Sequence, residues 1–130
     1  EVYMVDAAKN VKEDVYNNAT DIAGIRTLKI YGVYDPNVVK AAVYMVKSDA
    51  PENTVLLAAT RMHGKPTLTI FVSDDLVKKG MNAGKMIREA AKAIQGGGGG
   101  QPGFAQAGGR NEEGISLAME KMEALIAAEA

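Results

Sequence analysis

The chain has 130 residues, enough for one domain with one core, and at 47% apolar and 24% charged residues it is a globular rather than a disordered sequence. With no cysteine, one histidine and no tryptophan, it excludes disulfides, thiolate metal sites, cysteine nucleophiles and His-rich zinc sites, and leaves the core to Val, Ile, Leu, Ala and Met. The net charge of −1 is unevenly spread. Residues 61–110 carry Arg61, Lys65, Lys78, Lys79, Lys85, Arg88, Lys92 and Arg110 against Asp74, Asp75 and Glu89, while the flanking segments are net negative. A basic middle section fits a polyanionic partner, and on charge alone it fits a solvated helix face somewhat better.

Residues 2–22 predict a helix with Met4, Ala8, Val11, Val15 and Ile22 on one stripe and Asn18 in the missing heptad slot. So short a seam suits packing on its own domain slightly better than a coiled coil. The pattern begins without a capping residue or an initiator Met, so the chain is expected to come from a longer protein. Gly24 is expected to stop this helix, and Ile25–Val33 to form a strand. Asp35-Pro36 opens a helix carrying Val39, Ala42, Val43 and Val46 at i, i+3, i+4, i+7. Thr54–Thr60 and Thr67–Val72 read as two apolar strands joined through Arg61–Pro66, which places His63 in an exposed turn.

Ser73-Asp74-Asp75 starts a short helix that Gly80 can end. Residues 82–94 predict a helix with Met86, Ile87, Ala90, Ala91 and Ile94 buried. Lys85, Arg88 and Lys92, at i, i+3 and i+7, line up on another face. The last helix follows Asn111, Glu112 and Glu113, with Ile115, Ala118, Met119, Met122, Leu125 and Ile126 as its stripe. The fold class expected is α/β, a two-layer domain with a small mixed sheet, preceded by an N-terminal helix and containing a poly-Gly loop. No apolar run approaches the roughly 18 residues of a membrane-spanning helix.

Gly96-Gly97-Gly98-Gly99-Gly100 is the oddest segment. Such a run usually marks a linker, but here it sits between a basic helix face and a second glycine pair, Gly108-Gly109. The expectation is a loop whose bare backbone N–H groups form an anion nest. Gly98–Gly103 matches G-x-G-x-x-G formally, yet it follows a helix instead of a strand, and there is no G-K-[ST]. No nucleotide-triphosphate motif is present.

Asn82–Lys92 (NAGKMIREAAK), then GGGGGQP and Ala105-Gln106-Ala107-Gly108-Gly109, resemble the C-terminal domain of bacterial alanyl-tRNA synthetases. That module is related to the accessory domain of DHH-type phosphoesterases. The resemblance covers about residues 25–129. It implies a nucleic-acid-binding domain at 24–130, preceded at 1–23 by the end of a helical linker or dimerisation segment. It further implies a module that binds the outer corner of tRNA, helps couple aminoacylation with editing, and takes part in dimerisation. No catalytic residue is expected in this segment. ATP, Mg and the Zn of an editing domain would belong to other parts of an ATP-dependent alanine–tRNA ligase. The partner implied is tRNA, with no membrane and with a homodimer through the N-terminal helix; the location implied is cytoplasmic.

Candidate tRNA contacts are Lys85, Arg88, Lys92, Gly96, Gly97, Gly98, Gly99, Gly100, Gln101, Gln106, Gly108, Gly109 and Arg110. Many family members carry Arg at the position of Gln101 and an acidic residue at that of Gly103. The phosphoesterase branch places a His after its glycines, where Gln101-Pro102 stands here. The alternatives kept open are the accessory domain of such a phosphoesterase, a free-standing editing protein, and a structural oligomerisation module using the 2–22 helix and the Met119/Met122 face.

Overall fold

The computed structural model describes residues 2–129, with side chains from Asp6 onward. In chain order the elements are α1 (Val2–Asn17), β1 (Thr20–Ile22), β2 (Ile25–Val33), α2 (Pro36–Ser48), β3 (Thr54–Met62), β4 (Lys65–Val72), α3 (Asp74–Lys78), α4 (Ala83–Ala91), β5 (Gly97–Gln101), β6 (Phe104–Gly108) and α5 (Ile115–Glu129). Single 3-10 turns at Lys92–Ile94 and Glu112–Gly114 extend α4 and precede α5. The strands form one six-stranded sheet in the order β1-β2-β3-β4-β6-β5. Only β2 and β3, joined through α2, run parallel; the other pairs are antiparallel. No helix among the described residues is long and apolar enough to cross a membrane.

The central strand β3 is apolar without alternation, and it is buried on both faces. Val55, Leu57 and Ala59 face one way, with Leu68, Ile70 and Val72 of β4, and are covered by α4 and α5. Leu56 and Ala58 face the other way, with Leu28, Ile30 and Phe71, and are covered by α1 and α2. Each fully buried Leu or Ile contributes roughly 2–3 kcal/mol of transfer free energy. The α/β class and the mixed sheet are as expected, but helices on both faces make three layers where two were expected.

Local chemistry sets the helix starts. The Asp35 side chain accepts from the Asn37 N–H at 2.8 Å with Pro36 at the first position, and the Asn82 side chain accepts from the Lys85 N–H at 3.2 Å. His63 and Gly64 form the two-residue β3–β4 turn with φ of 54° and 76°, and His63 is exposed as expected.

Two further expectations are corrected. The first helix ends at Asn17, not Ile22. The Asn18 side chain donates to the Asp14 carbonyl at 2.9 Å, and residues 20–22 pair with β2 through a tight turn at Ala23 (φ 54°) and Gly24 (φ 87°). Residues 1–23 are therefore not all helical, and the expected boundary at 23/24 falls inside that turn. Ala8, Val11 and Val15 lie against α2 and the sheet, so this stripe is used within the domain. The side chain of Met4 lies outside the described residues.

The second correction concerns the glycines. They are not a loop: Gly97–Gln101 is an edge strand of the sheet, paired with β6 through a two-residue Pro102-Gly103 turn. Extended backbone points successive N–H groups to opposite sides, so the run does not form the expected concave nest.

Candidate nucleic-acid interface

Helix α4 lies on the β5–β6 hairpin and is tied to it at both ends. The Ala83 N–H donates to the Pro102 carbonyl at 2.8 Å, and the Gly96 N–H donates to the Ala91 carbonyl at 3.0 Å. Met86, Ile87, Ala90, Ala91 and Ile94 are buried in the same cluster as Ala105 and Ala107. The approach is close at Gly84, where a Cβ would stand 2.9 Å from the Gly100 carbonyl oxygen. Lys85, Arg88 and Lys92 are exposed, as their spacing requires. Lys92 is partly neutralised by Glu89 at 3.2 Å, whereas Lys85 and Arg88 make no ion pair among the described residues.

The five glycines divide into two sets. A Cβ at Gly96, Gly98 or Gly100 would come within 2.5–2.7 Å of the Cα of Gly109, Ala107 or Ala105 respectively, so packing against β6 demands glycine there. At Gly97 a Cβ would meet nothing within 4 Å, and at Gly99 only the Arg88 Nε at 3.9 Å. Neither position has the positive φ that favours glycine. Glycine in a strand is unfavourable by roughly 0.5–1 kcal/mol and often marks close approach by a ligand or another backbone. Gly97 and Gly99 therefore present bare backbone at the sheet edge, with the Arg88 guanidinium beside it.

The expected residues fall around this hairpin but not on one surface. Gly97 pairs with Gly108, and Gly99 with Gln106. Residues directly opposite share a face, and the Gln106 face is the one turned away from α4, since Ala105 and Ala107 are the residues buried beneath the helix. Lys85 and Gln106 thus lie on opposite sides of the sheet, while Arg88 reaches its edge. Gln101 is exposed at the hairpin tip. Gly108, Gly109 and Arg110 line a cleft together with Lys65, which sequence reasoning counted in the basic segment but did not place in the site. The pairing of β4 with β6, continued by the Gly109 N–H donating to the Pro66 carbonyl at 3.3 Å, joins them.

The perturbed titratable groups lie elsewhere and tie elements together. Asp75 is held below the ordinary carboxylate range by the Ser73 hydroxyl, which donates to it at 2.6 Å, and by the Asn53 N–H at 2.9 Å. Burial pushes the Tyr16 phenol up, near Asp49, and the hydrogen bond to Asp49 raises Lys12. These contacts pin α3 to the start of β3, and α1 to the end of α2.

Residues 25–128 match the DHHA1 domain. The chain is 42% identical over 122 residues to the alanine–tRNA ligase of Bacteroides thetaiotaomicron, and 40% identical over 119 residues to that of Parabacteroides distasonis. These alignments cover 94% and 92% of the chain, which spans 14% of the length of either relative. The fold is similar to that of the C-Ala domain from Aquifex aeolicus alanyl-tRNA synthetase, with a TM-score of 0.73 at 23% identity over 84% of this chain and 97% of that one. A pGpG-specific phosphodiesterase from Vibrio also shares the fold, with a TM-score of 0.57 at 11% identity over 96% of this chain and 40% of that one. The chain belongs to the DHHA1 domain family.

Proposed function

We propose that this chain is a tRNA-binding C-terminal domain of an alanine–tRNA ligase. It is a non-catalytic module that assists aminoacylation and editing by a parent enzyme whose ATP, Mg and Zn sites lie in other domains. The observation that carries the reading is the Arg88 guanidinium set beside the bare backbone of Gly99 on an exposed sheet edge, with Lys85 on the same helix face. Cations beside a strand without side chains suit a phosphodiester backbone, because charge attracts it and nothing holds it off. The relatives' names support alanine tRNA as that RNA.

The phosphoesterase alternative has the fold likeness of the Vibrio enzyme in its favour, but Gln101-Pro102 follows the glycines here where that branch carries a His. The oligomeric alternative needs an unused apolar stripe on α1 and a free Met119/Met122 face on α5, and Ala8, Val15, Met119 and Met122 are all buried inside the domain.

The test is a set of anisotropy titrations of labelled alanine tRNA at several salt concentrations. Replacing Lys85, Arg88 and Lys92 with Ala removes up to three phosphate contacts. The slope of log K against log salt should flatten by about two units, with Lys92 contributing least because Glu89 holds it. A triple variant with unchanged affinity and slope would make the stripe a solvated face.

A further inference from the structure

Two clefts flank the glycine hairpin, and their charges differ. The one beyond the hairpin tip, about 620 Å³, mixes Lys47 and Lys78 with Glu52, Asp74 and Asp75. The other, about 540 Å³, opens where β4 begins and β6 ends. Its lining includes Lys65, Thr67, Gly96, Gly108, Gly109 and Arg110, and no carboxylate. Lys65 and Arg110 make no ion pair among the described residues.

We propose that this second cleft seats a phosphate of the RNA backbone, with the strand crossing the β5 edge from Arg88 to the Lys65–Arg110 pair. The inference rests on the nucleic-acid reading above and names a further binding site for it. Gly108 lines the cleft, and its partner across the ladder, Gly97, follows the lining residue Gly96. Neither has a positive φ; a Cβ at Gly97 would meet nothing within 4 Å, and one at Gly108 only the Pro66 carbonyl oxygen at 3.9 Å. Packing and conformation leave both glycines unexplained, while an approaching phosphate needs the open backbone they provide. Gly109 differs: a Cβ there would strike Ile94, which fixes the cleft wall against the end of the α4 segment. From Gly99, where Arg88 lies, to Gly96 at the cleft is three strand residues, about 10 Å. A single RNA strand can bridge that distance between two cationic anchors.

The chain carrying Lys65→Gln and Arg110→Gln is compared with wild type and with the Lys85/Arg88/Lys92 variant in the same tRNA titrations, with melting temperatures measured for each. The double variant should melt like wild type, bind about tenfold more weakly, and lose about 1.5 units of salt slope, at roughly 0.7–0.9 per phosphate contact. In parallel, inorganic pyrophosphate is titrated into the 15N-labelled chain. The backbone amides of Gly96, Gly108 and Gly109 should shift saturably in wild type and not in the double variant. If the double variant binds tRNA like wild type while the α4 variant is weakened, the cleft is overturned and the proposed function stands. If wild type binds no tRNA, that function and the RNA assignment of the cleft both fall. Pyrophosphate shifts absent from the cleft amides would overturn the site directly.

Discussion

Replacing Gly98 and Gly97 separately with Ala asks whether the glycine strand is structural, functional, or both by alternation. A Cβ on Gly98 would lie 2.6 Å from the Cα of Ala107 and 2.7 Å from its Cβ, well inside ordinary contact of about 3.4 Å. Relief requires β5 to move away from β6, and Ala107 cannot yield because it is buried beneath α4. Overpacking of this kind costs roughly 1–3 kcal/mol, and each weakened ladder hydrogen bond adds about 1 kcal/mol. Gly98→Ala should therefore destabilise by about 3 kcal/mol, lowering the melting temperature by roughly 10 °C in a domain of this size. Gly97→Ala meets nothing within 4 Å and restricts only the unfolded chain, so it should leave stability unchanged or raise it by up to about 1 kcal/mol. Differential scanning calorimetry measures both, and tRNA anisotropy on the same samples separates the roles: Gly97→Ala and Gly99→Ala should weaken binding severalfold at full stability, with the salt slope intact because no charge is lost. Equal melting temperatures for Gly97→Ala and Gly98→Ala would refute the close-approach argument. Unchanged binding by the Gly97/Gly99 pair would refute the bare-backbone contact.

Other outcomes follow from the packing. Asp75→Asn weakens the tie from α3 to Ser73 and Asn53 and should cost about 1 kcal/mol near neutral pH. Because the folded carboxyl titrates below its unfolded value, that stabilisation is full above pH of about 4 and is lost as pH falls through the folded value, so thermal melts of variant and wild type should converge in acid; a constant gap across pH would exclude an ionic origin. Val15→Asp forces a carboxylate among Leu28, Val39 and Phe71 and should lower the melting temperature by several degrees without changing the mass measured by light scattering. A dimer that dissociates in that variant at constant melting temperature would show that the α1 stripe faces a second copy.

The class of fold was legible because its signals are local. Asp35-Pro36 and Asn82 start helices through their own hydrogen bonds, and the apolar stripes of α2, α4 and α5 recur at helical spacing. The unbroken apolar run of β3 also held the three-layer answer, since a strand covered on one face would alternate. The β1 strand was hidden because Ile22 happens to extend the stripe of α1, and only the Ala23-Gly24 turn and the pairing with β2 settle its conformation. The glycine run was hidden for a deeper reason. A strand is recognised by alternating side chains, and glycine has none, so β5 takes its conformation wholly from β6 and the helix above it.

By itself, then, the sequence determined α2 to α5, the central strands, the basic face of α4 and the glycine-rich character of the site. The tertiary structure alone decided which glycines packing requires and which remain bare, because that depends on the distance to β6. It also decided that Lys65 shares a cleft with Arg110, 45 residues further on. Register between β4 and β6 is a property of the assembled sheet, and no local spacing in the chain encodes it.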